Sequence, residues 1–198
     1  MTDGPDAPLA DFGQRLAELG WISDLHVGGS LATGDHRTGI SDLDLVAVVV
    51  GPLTREQRAR LGSIHAAIAP AAKLGCTYVP AQLVTAPDTE HFTWTHTRAI
   101  ERRLSGLTRA ELLRHGYAVF GREPADVWTS MTADDVRRAV VQEMTGYWTW
   151  VSHRPWLWLS TDQVDLTVTT MLRARHTLAT GELISKSAAL SARLTCRE

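Results

Sequence analysis

Val27-Gly28-Gly29-Ser30, followed twelve residues after the serine by Asp42-Leu43-Asp44 and the apolar run of residues 45–50, sets the architecture of this chain. In an extended strand alternate side chains share a face, so Asp42 and Asp44 point the same way with α-carbons about 6.5–7 Å apart. Two carboxylates at that spacing can grip hard divalent cations. Mg2+ takes oxygen ligands and leaves the rest of its shell to substrate phosphates, and two such ions about 3.5–4 Å apart can clamp the attacking and leaving oxygens of an in-line displacement. The glycines supply the complementary half. Residues without a Cβ let the backbone turn sharply and approach a ligand closely, and successive N–H groups form an anion-binding concavity to which the Ser30 hydroxyl adds a donor. A Gly-Gly-Ser turn or an Asp-Leu-Asp triplet alone is common. Their succession is not, because two acids opening a buried strand are costly without cations to neutralise them.

Outward from this unit the chain alternates helix and strand. Leu9, Phe12, Leu16 and Leu19 recur at helical spacing before Gly20, so residues 8–19 are expected to form an amphipathic helix. Ile22–Val27 is expected as a strand ahead of the glycine turn. Thr54-Arg55-Glu56-Gln57 fits a capping box, opening a helix to about Lys73 with Leu61, Ile64 and Ile68 inward. Residues 76–84, interrupted by Pro80, suggest a third strand at the sheet edge. The fold class is therefore α+β: a small mixed sheet with flanking helices, followed by a helical domain. Helices are expected from a capping box at Thr108-Arg109-Ala110-Glu111 toward Gly116, from Thr132 to about Trp150, and over residues 163–180 before Gly181. A turn at residues 121–124 places the boundary near 122, giving domains 1–122 and 123–198, with catalysis expected in a cleft between them.

Composition excludes several classes. Hydrophobic residues make up 44% and charged residues 21%, ordinary for a globular fold, and the net charge of -2 comes without a Lys/Arg block. Nucleic acid is therefore not an expected partner, since phosphate neutralisation needs a basic patch. Cys76 and Cys196 stand in no metal-ligand spacing. No signal peptide or long apolar segment is present, so no membrane is expected and the protein is placed in the cytoplasm. His91, His96 and His176 lack a supporting acid at a usual ligand spacing and read as surface or core residues.

Gly29-Ser30 with Ser41-Asp42-Leu43-Asp44 resembles the signature of the DNA polymerase beta-like nucleotidyltransferase superfamily, with a gap one residue longer than in some relatives. Toward the other end, Leu172-Arg173 precedes Ala179-Thr180-Gly181-Glu182-Leu183-Ile184-Ser185-Lys186. An arginine on a helix, a Thr-Gly break and a lysine thirteen residues after the arginine are similar to the adenylyltransferases that modify streptomycin and spectinomycin. The resemblance implies ATP as co-substrate and Mg2+ as cofactor. It implies Asp42 and Asp44 as catalytic metal ligands, Gly29, Ser30 and Ser41 against the phosphates, and Arg173 and Lys186 on the triphosphate.

The same resemblance exposes a departure. Those enzymes carry a glutamate, on the strand after the first helix, as general base for the attacking hydroxyl. The matching stretch Lys73-Leu74-Gly75-Cys76-Thr77-Tyr78-Val79 contains no acid, and only nearness in sequence favours Asp88 or Glu90 as a substitute. The drug-binding residues of the family map onto Trp94, Trp156 or Trp158, and Asp162 or Asp165. Four of the seven tryptophans lie at 148, 150, 156 and 158; they suit either stacking on a sugar-like or cationic acceptor or closure of a small helical core. The chain stops twelve residues after Lys186, short of the resembling enzymes, so either a homodimer completes the helical domain, the expected case, or the acceptor pocket is more open than in that family. The expected activity is Mg2+-dependent transfer of AMP from ATP to the hydroxyl of a small molecule, aminoglycosides included. A regulatory nucleotide-binding protein lacking the base, or an enzyme that adenylylates a protein partner, fits the same residues.

Overall fold

The computed structural model describes residues 5–68, 72–86 and 89–195. The chain divides into two compact units, Met1–Leu104 with Glu111–Ser130, and Ser105–Ala110 with Met131–Glu198. The first unit is built on a mixed sheet of β1 (Ile22–Val27), β2 (Leu43–Val49), β3 (Leu74–Pro80), β4 (Glu90–Thr95), β5 (Arg98–Arg103) and β6 (Tyr117–Phe120), in the order β5-β4-β3-β2-β1-β6. Only β2 and β3 run parallel; the other neighbouring pairs are antiparallel. A parallel pair needs a crossover, and α3 (Arg55–Ala67) supplies it. The helix starts where expected: the Thr54 hydroxyl accepts from the Gln57 N–H at 3.2 Å, and Gln57 Oε1 accepts from the Thr54 N–H at 2.9 Å.

The continuous apolar run of β2 has a physical cause. Leu43, Leu45, Ala47 and Val49 face a core closed by Leu9, Phe12 and Leu16 of α1 (Asp6–Ala17) and by Leu61 and Ile64 of α3. Val46 and Val48 face a second core with Val79, Leu104, Leu112 and Trp128. A strand covered on both sides loses the polar alternation of a half-exposed one. Burial of each such Val or Leu stabilises the fold by about 1.5–3 kcal/mol. Asp44 lies on the face of Val46 and Val48, but beyond the end of their cover, and is exposed.

Three expectations are corrected here. The third strand is interior, between β2 and β4, and Pro80 sits at its last position, where a missing N–H costs no internal ladder bond. The helix after Thr54 ends at Ala67, short of Lys73. The later helix α4 (Gly106–His115) is not opened by a box at Thr108; Ser105 Oγ accepts from the Thr108 N–H at 3.1 Å, so the cap lies three residues earlier.

The second unit is helical: α6 (Ala133–Glu143), a widened turn over Met144–Trp148, then α7 (Thr149–Ser152), a tight turn over Pro155–Leu159, α8 (Thr161–Thr180) and α9 (Lys186–Thr195); the short α5 (Pro124–Val127) precedes it in the first unit. Thr132 caps α6 through a box with Asp135. Gly181 at φ +79 ends α8, and a Cβ there would meet Ala133 at 2.7 Å, so the glycine serves both the turn and the approach of α6.

Candidate active site

The glycine turn and the aspartate strand are locked together. The Gly28 N–H donates to the Asp44 carbonyl at 2.8 Å, and Gly28 leads into a single short turn of helix, α2 (Gly29–Ala32). Gly29 adopts φ +57, and a Cβ built on it would stand 2.9 Å from Cγ of Asp44. The backbone there is in the left-handed region and pressed against a carboxylate, so two independent constraints require glycine. Ser30 is half-buried at the start of this turn, and its carbonyl accepts from the Asp35 N–H at 2.9 Å.

The intervening loop is held by its own residues. Ser41 Oγ accepts from the Arg37 N–H at 3.0 Å, and the Ser41 N–H donates to the Arg37 carbonyl at 2.8 Å. Lys73 Nζ donates to the Ile40 carbonyl at 2.9 Å, tying the loop to the start of β3, while the Lys73 carbonyl accepts from the Leu43 N–H at 3.2 Å. Asp42 therefore sits between two anchored points, immediately before β2, and Asp44 is the second residue of the strand.

In the ladder Asp44 pairs with Gly75, and Val46 pairs with Thr77. The position beside Asp44 on the neighbouring strand thus bears no side chain, and the next one on that face bears a hydroxyl, held by Thr93 Oγ1 at 3.2 Å. Glu90 gives no substitute. Cys76 pairs with Trp94, so Gly75 lies level with the Thr95 end of β4, and Glu90 is about 16 Å further along that strand. Asp88 lies outside the described residues, as does Cys196. What stands near Asp42 is His96, whose Nε2 is 3.3 Å from Asp42 Oδ2. Sequence reasoning set His96 aside because its partner is far away in the chain; only the hairpin of β4 and β5 brings the two together.

The remaining expected residues fall in two places. Trp94 shares a face with Cys76, turned toward α3, where it stacks on His65 with centroids 4.9 Å apart and planes 12° apart. That is the opposite face of the sheet from Asp44. In the second unit the Arg173 Nε donates to the Ile184 carbonyl at 2.7 Å, which draws α8 to the segment just before Lys186, the first residue of α9. Trp156 and Trp158 are exposed, as are Asp162 and Asp165 in the early turns of α8. Of the four clustered tryptophans only Trp148 is core; Trp150 lies under the Arg154 guanidinium, 3.7 Å from its ring centre. His176 is half-buried on α8.

Asp42 and Asp44 are hard oxygen donors beside a cradle that a Cβ at residue 29 would fill, a donor set that fits Mg2+. Among the described residues no three His, Cys, Asp or Glu side chains already form a metal cage. The rest of a cation's shell would then come from phosphate and water, as Mg2+ prefers. A backbone turn pressed against one carboxylate, with a second carboxylate two residues away, can hold phosphates and a hard cation together.

Comparison with known proteins agrees. Residues 10–86 match the family model of the nucleotidyltransferase domain, a stretch that contains the glycine turn, both aspartates and β3. The whole fold is similar to that of spectinomycin adenyltransferase AAD(9) from Enterococcus faecialis, solved with ATP and spectinomycin: 18% identity over 90% of this chain and 77% of that chain, with a TM-score of 0.68. No curated protein matches the chain significantly. Within the first unit, residues 10–86 thus match the nucleotidyltransferase-domain family, and the fold is one shared with that adenyltransferase.

Proposed function

We propose that the protein transfers AMP from ATP to a hydroxyl of a small molecule and releases pyrophosphate, in a Mg2+-dependent reaction. The observation that supports this most strongly is the contact of Gly29 with Asp44, which sets the glycine turn directly against a carboxylate able to hold a cation. Gly29, Ser30 and Ser41 are assigned to the phosphates, Asp42 and Asp44 to the cation, and Arg173 and Lys186 to the triphosphate. When bound, the cation would neutralise charge on the transferring phosphoryl group and acidify the attacking hydroxyl. The chain's own contribution is positioning, which carries most of the catalysis in phosphoryl transfer. The ATP and spectinomycin of the structural neighbour make an aminoglycoside-like compound the first acceptor to try.

The bare Gly75 beside Asp44 favours a second reading, a nucleotide-binding protein that has lost acceptor chemistry. Incubation with α-labelled ATP, Mg2+ and streptomycin, spectinomycin or a metabolite extract separates the two. Labelled adduct together with acceptor-dependent pyrophosphate release supports transfer. Tight ATP binding without adduct under every acceptor supports the regulatory reading instead.

A further inference from the structure

We propose that His96 joins Asp42 as a protein ligand of the site's cation, and that it turns the site's preference from Mg2+ toward a first-row transition ion such as Mn2+. The inference rests on the nucleotidyltransferase reading of Asp42 and Asp44.

The geometry carries it. His96 Nε2 and Asp42 Oδ2 are 3.3 Å apart, both half-exposed. A charge-assisted N–H···O bond is shorter, about 2.7–2.9 Å. Two donors that share one ion at bond lengths of about 2.1 Å, with 90–105° between the bonds, lie about 3.0–3.3 Å apart. The observed separation is longer than a tight ion pair and is one that two ligands of a shared cation would have.

The backbone places the imidazole there deliberately. Thr95 pairs with Arg98, so His96 and Thr97 form a two-residue hairpin turn, and His96 takes φ +34. Gly or Asn ordinarily fills such a position, and another side chain there costs about 1 kcal/mol or more. The only other described non-glycine residue with positive φ is Lys73, at +45, whose carbonyl and ammonium fix the two sides of Asp42. One strained residue thus contacts the Asp42 side chain and the other holds the backbone on either side of it, as expected where a fold stores strain for function.

The chemistry agrees with the geometry. Carboxylate and water suit Mg2+, whereas an imidazole nitrogen raises affinity along the first transition row. Among the described residues Asp42, Asp44 and His96 do not form a three-donor cage, so the Asp42–His96 pair would leave most of the shell to other ligands. Phosphate oxygens keep the remaining positions.

The test is pulsed electron paramagnetic resonance on the full chain with Mn2+ and a non-hydrolysable ATP analogue. Modulation from a directly bound imidazole nitrogen is expected in the wild type. It should vanish in His96→Asn, which preserves the left-handed turn, and Mn2+ affinity should fall by at least about tenfold while Mg2+ affinity changes little. Mn2+ that is lost on Asp42→Asn yet shows no imidazole modulation in the wild type overturns the role of His96 and leaves the proposed function standing. Mn2+ binding indifferent to Asp42→Asn overturns the metal reading of the site itself, and this inference with it.

Discussion

Gly29 and Asp44 pack so closely that a Cβ on the glycine would stand 2.9 Å from the aspartate's Cγ, at a backbone φ of +57. The glycine turn and the Asp44 carboxylate are therefore one mechanical unit. Gly29→Ala should strain the turn by about 1–3 kcal/mol and push Asp44 out of line. The expected result is a nucleotidyl-transfer rate lowered by about a hundredfold, a loss consistent with misplacing a catalytic group by an ångström. Calorimetric melting beside the rate assay checks that the fold survives.

Gly75 is the neighbour of Asp44 on β3, and a Cβ there would find its nearest atoms at 3.5 Å and 3.8 Å, an ordinary contact distance. Gly75→Glu should therefore fold and would place a carboxylate beside Asp44. An added general base is expected to raise the turnover number about a hundredfold with a small hydroxyl acceptor. Unchanged turnover in a variant that melts normally would show that the acceptor hydroxyl does not lie over Gly75.

Asp24 and Arg122 hold the far end of β1. Burial pushes the Asp24 carboxyl up, but the Arg122 side chain, the Ser23 hydroxyl and the Arg122 N–H outweigh it and hold the group at about 2. Arg122→Ala removes the two guanidinium hydrogen bonds from a carboxylate that is 1% exposed. Stability should drop by about 2–3 kcal/mol, read from urea unfolding at neutral pH.

His65 is buried against Trp94, with its Nε2 2.7 Å from the Tyr78 hydroxyl, and burial lowers its pKa from 6.5 to about 3. His26 is lowered too, chiefly by burial, with the Trp128 indole N–H donating to its Nδ1 at 3.1 Å. A histidine with a depressed folded pKa stabilises the fold fully above its unfolded pKa. That contribution is lost as pH falls toward the folded value. Unfolding free energy should therefore decline from about pH 6.5 downward, and His65→Phe should flatten part of the slope. Urea titrations between pH 4 and 8 measure it.

The legible parts of this fold are those whose signal is local. β1, β2 and α3 announce themselves through an apolar run and a capping box whose partners lie three residues apart. β5 does not, because Arg98-Ala99-Ile100-Glu101-Arg102-Arg103 is an edge strand, and edges carry charge in place of apolar alternation. β6 has only four residues, and its partner β1 is almost a hundred positions away. The site divides in the same way. Gly29, Asp42 and Asp44 stand on neighbouring segments and could be read from spacing, whereas His96 reaches Asp42 only through the β4–β5 turn. Trp94 shows the opposite limit: strand alternation turns it to the α3 face, which depends on a register that its own sequence does not state.

The central claim is that Asp42 and Asp44 hold the cation that brings ATP to the glycine turn. Calorimetric titration of a non-hydrolysable ATP analogue, with and without Mg2+, tests it without any acceptor. Wild-type protein should bind the analogue only with the cation present, and Asp42→Asn combined with Asp44→Asn should abolish that dependence, weakening binding by at least about tenfold. Equal affinity in wild type and double variant, or binding indifferent to Mg2+, would contradict the account.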